Sequence, residues 1–100
     1  MAAGHEQLEG DHTRDEGLAA VLGDLVVALA STDRFSQAVV QGKRALRIWE
    51  RRALTDPQDA RSHILICLVN LATCHEALGD HAQARRYAQR AGTLQGLESE

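Results

Sequence analysis

The sequence predicts an all-α domain in which two tandem helix-turn-helix repeats, four antiparallel helices in all, form a short solenoid or bundle. Three observations predict it. Hydrophobic residues make up 44% of the 100-residue chain, with one Pro and three aromatics, so Leu, Val, Ile and Ala must build the core and little interrupts a helix. Four segments carry a helical apolar rhythm and are separated by turn-forming clusters. Sliding the chain by 46 residues also lays its first two segments on its last two.

Residues 1–16 are polar, acidic and punctuated by Gly4 and Gly10, with Met1 and Leu8 as their large apolar side chains. They read as a disordered acidic tail, or alternatively as a peptide that docks on a basic surface. The domain proper is expected over 17–95, with repeats at about 18–55 and 58–94 and a frayed C-terminus over 96–100.

The first helix is expected from about Gly17 to Ser31, where Leu18, Val21, Leu22, Leu25, Val26 and Leu29 follow the i, i+3, i+4, i+7 spacing. Ser31-Thr32-Asp33 supplies a stop and a cap. The second helix is expected from Arg34 or Phe35 to Leu54. Phe35, Ala38, Gly42, Ala45 and Trp49 share one of its faces. A Gly inside a helix costs about 1 kcal/mol relative to Ala, and close approach of a neighbouring helix is the usual compensation. Pro57 then turns Asp56 away from helical geometry.

The third helix is expected from Gln58 or Asp59 to Leu78. From Ile64 to Ala72 it is apolar at nearly every position, which predicts enclosure by neighbours on several sides. Gly79 suits the left-handed end of that helix, and Asp80 suits the N-cap of the next. The fourth helix is expected from His81 to Gly92 or Leu94. Ala82, Ala84, Ala88 and Ala91 form its small face for close packing.

Charge and composition exclude several classes. Net charge is −3, but five carboxylates against Arg14 leave residues 1–17 at −4 and the remainder at +1. That near-neutral domain has no general footprint for nucleic acid. Cys67 and Cys74 stand seven residues apart on one helix, roughly 10 Å along its axis, too far for a disulfide. The N-terminus lacks the pattern of a signal peptide, and no apolar run exceeds six residues, as in Ile64–Val69, well short of a membrane span. A cytoplasmic protein without membrane contact is expected.

The 46-residue shift pairs Leu22 with Leu68, Leu25 with Leu71, Ala38 with Ala84 and Ala45 with Ala91, and the similar residues Leu18 with Ile64 and Val21 with Cys67. Such a fixed period marks a helical array. Asn70-Leu71-Ala72, Leu78-Gly79-Asp80, Ala84 and Ala91 resemble the tetratricopeptide repeat. Leu25-Val26, Asp33, Phe35, Ala38 and Ala45 resemble it more weakly. The likeness covers about residues 18–94. The period exceeds the usual length of about 34 and is similar to the extended variety of kinesin light chains and many bacterial regulators. His75 and Ala88 depart from the pattern, standing where the family usually has larger aromatic groups.

The resemblance implies a concave groove lined by the first helix of each pair, where an extended peptide or partner helix lies. Its positions are Ala20, Gly23, Asp24, Val27 and Ala30, then Ile66, Val69, Asn70, Thr73 and Glu76. The Asn70 amide is able to hydrogen-bond a peptide backbone, or else sits satisfied at a helix seam. The family's chaperone-binding members clamp a terminal carboxylate with Lys and Arg, which this groove lacks.

The remaining chemistry weighs little. His63, Cys67 and Cys74 fall within about 40° on one helical face, yet Cys74 lies two turns past Cys67, so shared metal binding, with His75 or His81 as a fourth ligand, gives way to buried packing. Arg44, Arg47 and Arg51, with Arg85, Arg86 and Arg90, form basic stripes. They support an alternative role as a regulatory accessory contacting nucleic acid or a nucleic-acid-binding partner, although few aromatics interleave them. His75 and Glu76 diverge by about 100° and form no dyad. No catalytic set, cofactor or metal is expected.

The sequence therefore reads as a protein-interaction scaffold rather than an enzyme. Two repeats fall short of the roughly three that an array needs, and Tyr87, Leu94 and Leu97 find no evident cover. A partner protein or peptide is expected, with a homodimer or larger assembly covering those three residues.

Overall fold

The computed structural model describes the backbone of residues 2–99 and the side chains of residues 14–96. Four helices follow one another: α1 (Ala2–Ser31), α2 (Phe35–Arg52), α3 (Pro57–Ala77) and α4 (His81–Ser99). Each packs on the next, and α1 also reaches α3. The result is two hairpins side by side, all-α among the described residues.

The turns inside the two hairpins are built alike. Asp33 (φ 60°) and Gly79 (φ 79°) are both left-handed and stand 46 residues apart. The Arg34 N–H donates to the Leu29 carbonyl at 2.8 Å, and the Asp80 N–H donates to the His75 carbonyl at 2.9 Å. These are the six-to-one bonds that close a helix C-terminus. Asp80 then caps α4, accepting from the Gln83 N–H at 3.4 Å. Between the hairpins, Asp56 caps α3 by accepting from the Asp59 N–H, and Pro57 takes the first turn, where no N–H is needed.

The core runs along the middle of this array. Ala38, Ala45, Leu22, Leu68, Leu71 and Cys74 are almost fully buried, and each buried Leu contributes about 1.5–3 kcal/mol. On α2, Ala38, Gly42, Ala45 and Trp49 are buried with Phe35 packed beside them. The expected face is the observed one.

Five expectations need correction. The α1 backbone is helical from Ala2 rather than from Gly17. The expected tail at 1–16 falls mostly outside the described side chains. Its described end is held by charge: Glu16 lies 3.0 Å from Arg52, and Asp15 lies 3.7 Å from Arg51. Arg52 also faces Asp56 and Asp59 at 3.6 and 3.5 Å, so one guanidinium ties α1, α2 and the start of α3. Its Nε lies within ion-pair distance of Glu16 without hydrogen-bond alignment.

Within α1, Ala19, Leu22 and Val26 face inward with Leu29 beside them, whereas Leu18, Val21 and Leu25 are exposed. The two apolar stripes lie one residue apart on the same helix, and α2 covers only one. On α3, Ile66 and Val69 are 57% and 48% exposed, so the helix is not enclosed all round. On α4, Ala84 and Ala91 are buried while Ala82 and Ala88 are exposed, because α3 lies against only part of the small face.

The fifth correction concerns the expected bare face at the C-terminal end. Tyr87 and Leu94 are half-buried against the core. Tyr87 stacks on His75 with ring centroids 5.5 Å apart, and Leu94 shares a small cavity with Ile64 and Leu68. The apolar α3 supplies the cover that the sequence did not show. The side chain of Leu97 lies outside the described residues.

Candidate interaction groove

α1 and α3 stand side by side across α2, and the space between them is the concave feature that the first helices of the two hairpins share. One cavity of about 350 Å³ has Gly42, Ala45 and Trp49 of α2 as its floor. Ala20, Gly23, Asp24 and Val27 of α1 line it, as do His63, Ile66 and Asn70 of α3. A second, of about 310 Å³, continues past Val27 and Asn70 to Ala30, Phe35 and Thr73. Small residues on α1 and on the floor leave the room. Gly23 is an example, with nothing within 4 Å of where its Cβ would be. At one end Trp49 stacks on His63 at 3.8 Å with the rings 6° from parallel.

The groove is mostly apolar. Val27 and Ile66 are each 57% exposed. Asp24 is its one carboxylate, and no Lys or Arg lines either cavity. The Asn70 amide forms no hydrogen bond with another described residue and keeps contact with solvent. Thr73 donates its hydroxyl to the Val69 carbonyl at 3.0 Å. A groove of this kind takes apolar side chains and offers an amide to a peptide backbone.

Of the expected groove positions, Ala20, Gly23, Asp24, Val27, Ala30, Ile66, Asn70 and Thr73 line these two cavities. Val69 is exposed on α3 and lines neither. Glu76 belongs to a different groove, between α3 and α4, where it meets His81 at 2.8 Å. Gly42, Ala45, Trp49 and His63 also line the first cavity. Gly42 and Ala45 were legible as a close-approach face, but no local spacing links Trp49 to His63 across two helices.

The two thiols are buried and free. Burial pushes the Cys67 thiol from its usual 9.0 up to about 11, with the Glu50 carboxylate adding to it. Burial raises Cys74 as well. Neither becomes a thiolate near neutrality. Among the described residues, no three His, Cys, Asp or Glu side chains converge on a point.

The basic stripes are partly matched by carboxylates. Arg51 and Arg52 face Asp15 and Glu16, and Arg90 donates to Glu50 at 2.9 Å across α4 and α2. Arg44 and Arg47 line an outer cavity with Leu18 and Glu50.

Two hairpins related by one sequence shift, with matching left-handed turns and a groove between their first helices, define an α-helical repeat protein. Within it, the family model of the tetratricopeptide repeat matches residues 18–59, so that stretch carries a repeat of this kind. No curated protein and no solved structure matches the chain significantly. Tetratricopeptide repeats generally mediate protein–protein interaction. Among the described residues, no helix is long and apolar enough to cross a membrane.

Proposed function

We propose that this chain is a protein-interaction scaffold and not an enzyme, and that the α1–α3 groove receives a segment of a partner protein. The observation that carries the reading is the groove itself: exposed Val27 and Ile66 beside an Asn70 amide without a described partner. Apolar side chains of the segment fill the space above Gly23 and Gly42, Asn70 pairs with its backbone, and Asp24 favours a basic or amide group nearby. Val69 extends the apolar rim. Two free buried cysteines fit a reducing cytoplasm. We also propose that the chain self-associates. The nucleic-acid alternative draws less support, because Arg51 and Arg90 of the basic stripes already face carboxylates.

The test uses peptides selected against the whole chain from a random-sequence display library, with binding followed by fluorescence anisotropy. Gly23→Trp fills the cavity from a half-buried helix position with open space at its Cβ, and Asn70→Ala removes the amide. Both should keep wild-type helicity and weaken the selected peptides by about tenfold or more. Equal binding to wild type and Gly23→Trp would place the ligand elsewhere.

A further inference from the structure

The interface between the two hairpins is an internal standard for how this chain packs on a neighbour. At its centre, Leu71 Cδ2 lies 3.0 Å from the point where Gly42 would carry a Cβ, and Val26 Cγ2 lies 3.8 Å from it. Around that contact Val26, Val27, Ala30, Ser31 and Phe35 face α3 across a shared cavity. Advancing those five and Gly42 by 46 residues gives Ala72, Thr73, Glu76, Ala77, His81 and Ala88. All six line one open groove of about 740 Å³ between α3 and α4. The seat that receives α3 exists a second time, open at the other end of the array.

The ridge that fits the seat also exists twice. Cys67 and Leu71 of α3 step back by 46 residues to Val21 and Leu25 of α1. Cys67 and Leu71 are 8% and 1% exposed, with Leu71 on Gly42 and Cys67 lining the cavity beside it. Val21 and Leu25 are 62% and 39% exposed. One chain thus carries both halves of an interface it already uses internally, each half open and at opposite ends.

We propose that the α1 ridge of a second copy of this chain docks in the α3–α4 groove, head to tail, continuing the array that the two hairpins begin. The proposal gives a geometry to the self-association proposed above and rests on it. Leu25 of the incoming copy sits over Ala88 as Leu71 sits over Gly42. Such a contact is heterologous: it leaves a free ridge at one end and a free groove at the other, so assembly continues unless the rotation closes a ring. Ala88 carries the methyl that Gly42 lacks, which crowds the leucine at the centre of the seat. The contact between copies is therefore looser than the one within the chain, and association is reversible and concentration-dependent.

Val21→Glu disables the ridge and Ala88→Glu disables the groove, both at exposed helical positions where the fold survives. Sedimentation equilibrium of the full chain, from micromolar to millimolar, should show growth of wild type beyond a dimer. Each variant alone should associate about tenfold more weakly or worse. Mixing the two should restore association, but only to a one-to-one pair, through the intact ridge of one and the intact groove of the other. Ala88→Gly should tighten wild-type assembly. Oligomers that persist in both single variants, or a mixture that stays monomeric, would overturn the head-to-tail geometry while leaving self-association standing. Wild type that remains monomeric at millimolar concentration would overturn self-association as well, whatever the peptide-binding result at the α1–α3 groove.

Discussion

Leu71 closes directly on Gly42: the Leu71 Cδ2 atom lies 3.0 Å from where a Cβ on Gly42 would stand. Leu71 is 1% exposed, so it has little freedom to withdraw. Gly42→Ala gains about 1 kcal/mol of helix propensity but overpacks the seam, which costs about 1–3 kcal/mol. We expect net destabilisation by ~1 kcal/mol, read as a lower urea midpoint with unchanged slope. A midpoint that rises would show that the seam has slack.

Gly79 and Gly92 are expected to respond to alanine with opposite signs. Gly79 is left-handed at the α3–α4 turn (φ 79°), a conformation that costs an L-residue roughly 1–2 kcal/mol. Gly92 lies inside α4 with nothing within 4 Å of its Cβ position, so Ala there brings only about 1 kcal/mol of helix propensity. Gly79→Ala should lower the thermal midpoint and Gly92→Ala should raise it. A fall for both would mean that α4 is not helical at Gly92 in solution.

Much of the fold was legible because its punctuation is local. Asp33, Gly79 and Asp56-Pro57 each set a turn through their own backbone chemistry, and the 46-residue shift exposed the duplication. Within α1, however, Leu18, Val21 and Leu25 form one apolar stripe and Ala19, Leu22 and Val26 form another, one residue away. Periodicity does not choose between adjacent stripes; the position of α2 does. The groove was legible in most of its α1 and α3 positions through the family resemblance. Glu76 was misplaced because its direction depends on α4. The Trp49–His63 floor and the cover over Tyr87 and Leu94 arise from packing between helices, which leaves no trace in local spacing.

His75 is a weak point in the core. Both ring nitrogens are buried without a hydrogen-bond partner among the described residues, and Asp80 Oδ2 is 3.5 Å from Nδ1, within ion-pair range but not a hydrogen bond. Unsatisfied buried polar atoms cost about 1–3 kcal/mol. His75→Phe retains a ring to stack on Tyr87 and removes both nitrogens. We expect stabilisation of about 1 kcal/mol after some loss to the larger ring, measured as a higher urea midpoint at neutral pH. A lower midpoint would indicate that an ordered water satisfies His75.

Cys67 predicts how stability responds to alkali. Its thiol ionises near 9.0 in the unfolded chain and near 11 in the folded one. Below pH 9 both states hold the proton and the full stability is present. Between pH 9 and 11 the unfolded chain releases it while the folded chain keeps it, so the folded state binds more protons and stability falls as pH rises. Cys74, also raised by burial, acts in the same direction. Other groups titrate in this range, so the comparison that isolates the thiol is with Cys67→Ala, a small apolar residue at the same seam. Urea midpoints at pH 9 and pH 11 should fall further for wild type than for Cys67→Ala. Parallel falls would mean that alkaline solvent reaches Cys67 in the folded chain and that the α1–α3 seam opens there more readily than its burial implies.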